Sequence, residues 1–414
     1  MLARRAWGPA LRLLPFLALL ASIFWARPAS AYPWMIRHEY QGCVPCHADP
    51  SGAGLLTEYG RAMGENILRS RYGSKPPDEP AIYARFLFGV PTPDWLLLGG
   101  SVRNGVWITG APGGPFSEKF LQMEADLKAQ ITLKRFRAYG SLGYMHEGAV
   151  YTQLTSNTNG AGNLVSREHW IGLDLGEDKP FLLRAGRIDI PFGIRNDEHD
   201  LFVRNTATTR TNINESQQDG VALSYTGQSV RGEVMAILGN YQVNPDTFRE
   251  RGYAGFVELS LAPWAAAGLS SLVTYAGTDI IYQTPHTIRQ VHGLFTRLSA
   301  PKTPLVILAE ADAMVTSSET TSSNPGGTQP GMVGMLQADV EPTQGVHLGA
   351  TGETWVQGTS TGTTKSFSSY LTAQWFFAPH ADLRVDFVTQ SLQVSATVSP
   401  GLTLYVLPQL HLYL

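Results

Sequence analysis

The 414-residue chain has few cysteines, few charged side chains and no long apolar run beyond its N-terminus. Two cysteines are too few for a scaffold held together by disulfides. Charged residues make up 16% of the chain, against about 25% in soluble domains, and the formal net charge is −3. This near-neutral balance argues against a nucleic-acid-binding protein, and the 43% hydrophobic content argues against disorder.

The first 31 residues have the pattern of a secretory signal peptide. Arg4 and Arg5 precede an apolar stretch at 13–25, and Ala29-Ser30-Ala31 supplies an A-x-A cleavage site. An uncleaved membrane anchor is the alternative. No later stretch approaches the ~18 consecutive apolar residues of a spanning helix. We therefore expect an exported mature chain that starts at Tyr32 and contains no transmembrane helix.

Both cysteines fall in one motif, Cys43-Val44-Pro45-Cys46-His47. This C-x-x-C-H pattern is the attachment signature of c-type haem: the two thiols bond to the porphyrin vinyl groups, and the adjacent imidazole becomes the proximal iron ligand. The alternatives are a redox disulfide and half a zinc site, and the zinc site would need two more soft ligands that no other cysteine supplies. The motif predicts one covalent haem c in a short, partly helical segment over residues 32–75.

The sixth iron ligand has several candidates. His38 precedes His47 by nine residues, Met63 follows it by sixteen, and Met35 is a weaker choice. Methionine ligation would set a higher reduction potential than histidine ligation. An open or water-filled position also fits, as do plain structural roles for His38 at the surface and Met63 in helix packing.

From residue 95 to the C-terminus, apolar and polar residues alternate. Phe136, Leu142 and Tyr144 fall on one strand face, and Arg137 and Tyr139 fall on the other. The segments exceed the ~5–6 residues of soluble strands and reach the ~9–11 needed to cross a bilayer in a tilted barrel. We predict an all-β, transmembrane antiparallel β-barrel of about 16 strands over residues 95–414, preceded by a linker at 76–94. A soluble propeller or sandwich is the alternative.

The predicted connections alternate in length, as in outer-membrane barrels. Tight turns occur at sites such as Lys134-Arg135 and Pro379-His380. Arg184 and Arg187 have opposite parity within one predicted strand, which implies either a bulge or a misassigned register. The predicted long connections are 151–165, 191–219, 241–251, 279–289, 316–331 and 357–366, and the predicted lumen charges are Arg137, Asp174, Glu258, Glu353, Arg384 and Asp386.

With these features the chain resembles the cytochrome–porin fusions of bacterial outer membranes, whose best-known members are iron-oxidising outer-membrane cytochromes. The likeness lies in a signal peptide, one C-x-x-C-H near the mature N-terminus, a nearby Gly-Arg pair and a barrel that fills the rest. At motif level it covers about thirty residues and rests on Arg37, Cys43, Cys46, His47, Pro50, Gly60 and Arg61. Met63 stands where the family more often has an aromatic residue, and Leu414 replaces the more usual terminal Phe or Trp.

The resemblance implies an electron conduit in the outer membrane, with both termini periplasmic or luminal. Its haem segment would lie in or beneath the barrel lumen, with Arg61 contacting the haem. Electrons would pass from an extracellular reductant, above all Fe(II), to a periplasmic carrier such as a soluble cytochrome. This would be Fe(II)-oxidase-type electron transfer without bond-making chemistry. The competing hypotheses are a diffusion porin with the haem segment as plug, sensor or assembly aid, and a haem enzyme such as a peroxidase.

One predicted loop carries a second metal-site candidate. Asp197, Glu198 and His199, followed by Asp200, offer hard oxygen ligands and one imidazole that would suit a transient Fe(II) or Mn(II) site. A solvated extracellular loop is the simpler interpretation of the same run. If the loop folds inward, its arginines would narrow the pore or contact haem propionates; these are Arg195, Arg204 and Arg210.

Overall fold

The computed structural model describes residues 33–40, 42–50, 52, 54–74, 85–87, 89–146, 152–154, 162–196, 198, 200–206, 209–212, 215–321, 326–359, 362–393 and 401–414. The predicted signal peptide lies outside these residues, as does most of the predicted linker. None of the described helices combines the length and apolar character needed to cross a bilayer.

One antiparallel sheet closes on itself to form a barrel. Strand β1 (Leu96–Gly110) pairs with β2 (Phe116–Leu133) on one side and with β17 (Gly401–Tyr413) on the other. Strands β4 (Asn163–Val165) and β5 (His169–Leu175) both pair with β3 (Phe136–Met145) and continue one another, so the described barrel has sixteen strands around its circumference, as predicted. The other strands are β6 (Phe181–Ile188), β7 (Gln218–Thr226), β8 (Val230–Gly239), β9 (Arg251–Ala262), β10 (Ala265–Thr278), β11 (Pro285–Ser299), β12 (Leu305–Ser318), β13 (Gly327–Thr343), β14 (Val346–Thr359), β15 (Gly362–Ala378) and β16 (Ala381–Gln393).

The alternation along the strands separates an apolar outer face from a polar lumen. Large apolar side chains such as Leu294 and Leu371 are more than 60% exposed on the outer face, where a bilayer would cover them. The lumen side carries charged groups that bond to one another, such as Arg137 with Asp174. The predicted lumen charges are confirmed in place: Glu258, Glu353, Arg384 and Asp386 are all buried within the barrel.

The two rims differ, although less than the sequence predicts. Short turns join β2 to β3 at 134–135 and β15 to β16 at 379–380, and these belong to the short-turn rim. The opposite, long-loop rim carries the connections at 146–162, 189–217 and 240–250. The loops predicted at 279–289, 316–331 and 357–366 are wrong in length, because polar Ser, Thr and Gly residues continue the strand pairing beyond the apolar band.

The bulge predicted between Arg184 and Arg187 is absent from β6, which pairs with both neighbours without a register shift. Both side chains are nonetheless buried. Arg187 has the outward parity, but it lies at the strand end, where its guanidinium donates to Asn240 Oδ1 in the loop after β8. The loop after β8 therefore buries the Arg187 side chain, and no bulge in β6 is needed.

The longest connection of the long-loop rim, residues 189–217, folds into the lumen. It carries the short helix α2 (Phe202–Asn205) and buries apolar side chains including Phe192 and Val203. Its backbone reaches the opposite wall, where Ile194 N donates to Glu310 Oε2 at 2.7 Å and Phe202 N donates to Glu353 Oε2 at 3.0 Å. This connection, termed the inward loop, therefore obstructs the lumen.

The segment that precedes the barrel also lies inside the lumen. It contains a 3-10 helix (Pro33–His38), helix α1 (Glu58–Met63) and a π-helical turn (Gly64–Leu68), which confirms the predicted partly helical character. A further 3-10 turn, Asp246–Phe248, lies in the loop between β8 and β9. Before β1, Phe86 and Val90 form one isolated antiparallel bridge.

Candidate functional site

The C-x-x-C-H motif forms a tight turn. Cys46 N and His47 N both donate to Cys43 O, at 3.1 and 2.9 Å, so the two thiols and the imidazole leave the chain within one turn. The chain then doubles back: Ala48 N donates to Leu55 O at 2.9 Å, and Thr57 N donates to Cys46 O at 2.8 Å. This small loop holds the motif in place from both sides.

Helix α1 rests directly on the motif. Thr57 caps the helix by accepting a hydrogen bond from Gly60 N at 3.0 Å. A Cβ at Gly60 would lie 2.4 Å from Cys46 O and 2.8 Å from Cys46 Cβ, which no real side chain tolerates. Glycine at this position therefore allows the helix to approach the second cysteine at backbone contact distance.

Buried ion pairs hold the segment inside the barrel. Arg37 bonds to Asp339 and to Glu341, both near the end of β13. Asp49 lies 3.1 Å from Arg184 Nη1 of β6 and 3.6 Å from Arg195 Nη1 of the inward loop. Because these partners surround the segment, it lies within the lumen and contacts the inward loop directly.

A cavity lies between this segment and the barrel wall. Cys46 and His47 line it on the segment side, together with Leu55 and Leu68. The wall side is polar and includes Ser101, Glu124, Lys128, Tyr139, Arg167 and His411. An apolar face beside the Cys46 thiol and the His47 imidazole, opposite a polar face with cationic groups, offers the kinds of group that would surround a porphyrin and its propionates.

Cys43 is buried on the other side of the turn. Its Sγ lies 3.1 Å from Arg231 Nη1, and a Cβ at Gly52 would lie 3.0 Å from the same sulfur. Arg231 in turn donates through Nε to Glu258 Oε1 at 2.9 Å and lies over the ring of Phe256. The wall thus contacts the motif at its first cysteine, one turn away from the cavity that Cys46 and His47 line.

The structure separates the candidates for the sixth ligand. His38 Nε2 lies 3.3 Å from Glu341 Oε2, and His38 is not among the described residues that line the cavity. Met35 and Met63 both line it, and Met63 Sδ accepts a hydrogen bond from Tyr40 Oη at 2.9 Å. The geometry therefore favours the two methionines over His38.

Arg61 faces the barrel wall. Its guanidinium donates to Leu98 O of β1, and burial lowers the pKa of Arg61 to about 10. The side chain stays charged at neutral pH and ties helix α1 to the wall. Its contact with haem stays a prediction.

The loop candidate for a second metal site falls largely outside the described residues, since Asp197 and His199 are not among them. Glu198 is described, buried and bonded to Arg384 of β16. Within the part of the chain that the structure describes, no group of three or more His, Cys, Asp or Glu side chains is arranged to hold a metal ion. Arg195, Arg204 and Arg210 all lie in the inward loop, and Arg210 bonds to Glu250 in the loop before β9.

Sequence reasoning missed the barrel's own contributions to the site. Arg231, Arg184 and His411 come from three strands far apart in the chain, and no local motif marks them. The one available signal was parity, because each occupies a lumen-facing position in an alternating strand.

Comparison with profiles of known protein families and with curated protein sequences finds no match. Solved structures do share the barrel. OmpT, an outer-membrane protein of Vibrio cholerae, matches with a TM-score of 0.57 at 11% identity, over 78% of this chain and 100% of its own. The outer membrane channel DcaP of Acinetobacter baumannii gives 0.57 at 12% identity, over 77% and 97%. An anion-selective porin from Comamonas acidovorans gives 0.55 at 15% identity, over 77% and 99%.

At such low identity these likenesses concern the fold. The fold is that of the outer-membrane porins: a closed antiparallel barrel with an apolar outer band and a polar lumen. This chain adds a C-x-x-C-H segment seated inside that lumen.

Proposed function

We propose that this protein is an outer-membrane electron-transfer conduit with one covalent haem c. The observation that carries the proposal is the position of the C-x-x-C-H turn, which lies inside the lumen beside a cavity that Cys46 and His47 line. A bilayer excludes both ions and soluble carriers, so a redox group held within a barrel offers electrons a passage that solutes lack. The porin-type barrels among the solved structures support the membrane part of the proposal and are silent on the haem.

In this proposal Cys43 and Cys46 form the thioether bonds, and His47 is the proximal iron ligand. The haem supplies reversible one-electron chemistry when bound. The cationic groups of the cavity wall already have carboxylate partners: Lys128 bonds to Glu124, and Arg167 bonds to Asp126. Each cation would therefore contact a haem propionate while it stays paired with its own carboxylate. Short turns mark the periplasmic rim of such barrels, which would put the haem segment in the periplasmic half of the lumen.

The proposed donor is an extracellular reductant, Fe(II) above all, and the proposed acceptor is a periplasmic carrier such as a soluble cytochrome. The protein would then act as an Fe(II)-oxidase-type oxidoreductase. Donor electrons would have to pass the inward loop, whose Arg195 contacts Asp49 of the haem segment. Asp197, Glu198 and His199 of that loop remain a proposed transient Fe(II) site.

The test uses the full-length protein purified in detergent with its haem. Absorption spectra recorded without oxygen should show the oxidised haem becoming reduced when Fe(II) is added. Cys43→Ala and Cys46→Ala should each weaken covalent attachment, measured as haem that survives denaturing electrophoresis. Holoprotein that stays oxidised with Fe(II) and with stronger reductants of similar size would overturn the conduit. A preparation without attached haem would overturn the cofactor as well.

A diffusion porin with the segment as plug is the second candidate, and the likeness to porin structures favours it. In planar bilayers it would give large, steady single-channel conductance with the haem bound. The conduit instead predicts a conductance well below that of an open barrel, because the segment and the inward loop both cross the lumen.

A further inference from the structure

We infer that His411, in the last strand of the barrel, supplies the second axial ligand to the haem whose first ligand is His47. The inference rests on the proposed haem and adds a residue that the barrel wall contributes. The haem would then link the segment, through His47, to the barrel wall, through His411.

The geometry around His411 is that of an oriented imidazole. Its Nδ1 lies 3.1 Å from Asp382 Oδ2 at the start of β16, and the Asp382 side chain is 1% exposed. Its Nε2 lies 3.1 Å from Ser101 Oγ of β1. Both Ser101 and His411 line the same cavity as His47.

A carboxylate at one ring nitrogen fixes the tautomer of the other. With Nδ1–H donating to Asp382, Nε2 carries the lone pair and is directed toward Ser101 at the cavity wall. Metal-binding histidines usually have this carboxylate partner, which orients the ring and raises its basicity. The hydroxyl of Ser101 also reaches Glu124 Oε2 at 2.9 Å, so it has another acceptor once Nε2 turns to a metal.

Competing ligands are less suited. Among the described residues, His47 and His411 are the two histidines that line the cavity. His38 is engaged by Glu341. Met35 and Met63 line the cavity from the segment side, as His47 does, and Met63 Sδ already accepts a hydrogen bond from Tyr40 Oη at 2.9 Å. The wall is the opposite side of this cavity, and His411 is its one imidazole in the described chain.

The experiment is electron paramagnetic resonance and absorption spectroscopy of the full-length holoprotein. Wild type should be six-coordinate and low-spin, with the signal of two imidazole ligands. His411→Ala should keep its covalent haem, since both thioethers remain, but become largely high-spin, and added imidazole should restore the low-spin signal. His292→Ala is the matched control, because His292 is exposed on the outer face, where its Nδ1 lies 3.0 Å from Ser271 Oγ.

Two further variants separate the outcomes. Met35→Leu and Met63→Leu should leave the low-spin signal in place. If either abolishes it, or if His411→Ala leaves it unchanged, His411 is not the ligand. A high-spin wild type would also overturn the inference while leaving the haem and its reduction by Fe(II) intact. Heat-modifiable electrophoretic mobility checks that each variant still forms the barrel, so a spectral change in a folded variant reports on the iron.

Discussion

Replacing Asp49 by Asn should loosen the haem segment inside the barrel. Asp49 joins the segment to the wall through Arg184 and to the inward loop through Arg195. The Asp49 and Arg184 side chains are 3% and 0% exposed, so solvent screens the pair little. A hydrogen bond to a charged group contributes ~1.5–3 kcal/mol, and breaking a buried pair costs ~3–5 kcal/mol.

The expected cost lies near the lower of these ranges, because each arginine keeps another carboxylate. Arg184 Nη2 remains 2.5 Å from Glu233 Oε1, and Arg195 Nη2 remains 2.5 Å from Asp189 Oδ2. We therefore expect about 2 kcal/mol, which is a ~30-fold rise in the population of the opened segment. Arg184→Met should cost more, since it leaves both Asp49 and Glu233 without that partner.

Native-state hydrogen exchange measures this opening directly. The amides of Ala48 and Thr57, which close the loop around the motif, should exchange ~30-fold faster in Asp49→Asn when reclosing outpaces exchange. Asp246→Asn is the control, because Asp246 is 62% exposed and pairs only with surface arginines, where such contacts contribute ~0–1 kcal/mol. Equal exchange rates in the two variants would refute the idea that buried charges hold the segment.

Three shorter predictions concern close contacts and the membrane face. Gly60→Ala should lower covalent haem content because its Cβ would meet Cys46 O at 2.4 Å. Gly352→Ala in β14, with nothing within 4 Å of its Cβ and no part in the cavity lining, should not; pyridine haemochrome assays compare the two. Gly193→Ala should displace the inward loop from the lumen, because Gly193 has φ +60° and an added Cβ would overlap the Glu310 side chain. The single-channel conductance should therefore rise, and an unchanged conductance would contradict this prediction. Leu371→Arg, in the middle of β15, should lower the free energy of unfolding in lipid by ~2–4 kcal/mol. Leu261→Arg, near the short-turn rim, should lower it by only ~0–1 kcal/mol. Equal losses in the two variants would contradict the assigned membrane band.

The sequence predicted the barrel well because its signals are local. A period of two recurs in each strand, and turns such as Lys134-Arg135 are short enough to recognise. The strand ends were harder. Ser and Thr continue a ladder as readily as they form loops, so β12 and β13 keep pairing up to Ser318 and Gly327. Loop lengths therefore could not be derived from polarity alone.

The candidate site likewise has one part that the sequence shows and one part that it does not. Covalent haem chemistry fixes the spacing of Cys43, Cys46 and His47, so the motif is visible in the chain itself. Its surroundings are not, because Arg231 and Cys43 meet across 188 residues. Such contacts depend on barrel closure, which sets which lumen positions face one another, and closure depends on all sixteen strands at once.

The same buried charges bear on the choice between conduit and porin. A porin that opens by expelling its plug would leave Asp339 without Arg37 and Arg184 without Asp49. Arg184 would keep Glu233, Asp339 would keep His347, and water would enter the open lumen, so each loss would cost part of the ~3–5 kcal/mol of a broken buried pair. The wall therefore favours the plugged state, and a plugged lumen passes solutes poorly. A redox group on that plug needs no such movement, because electrons can cross a filled barrel.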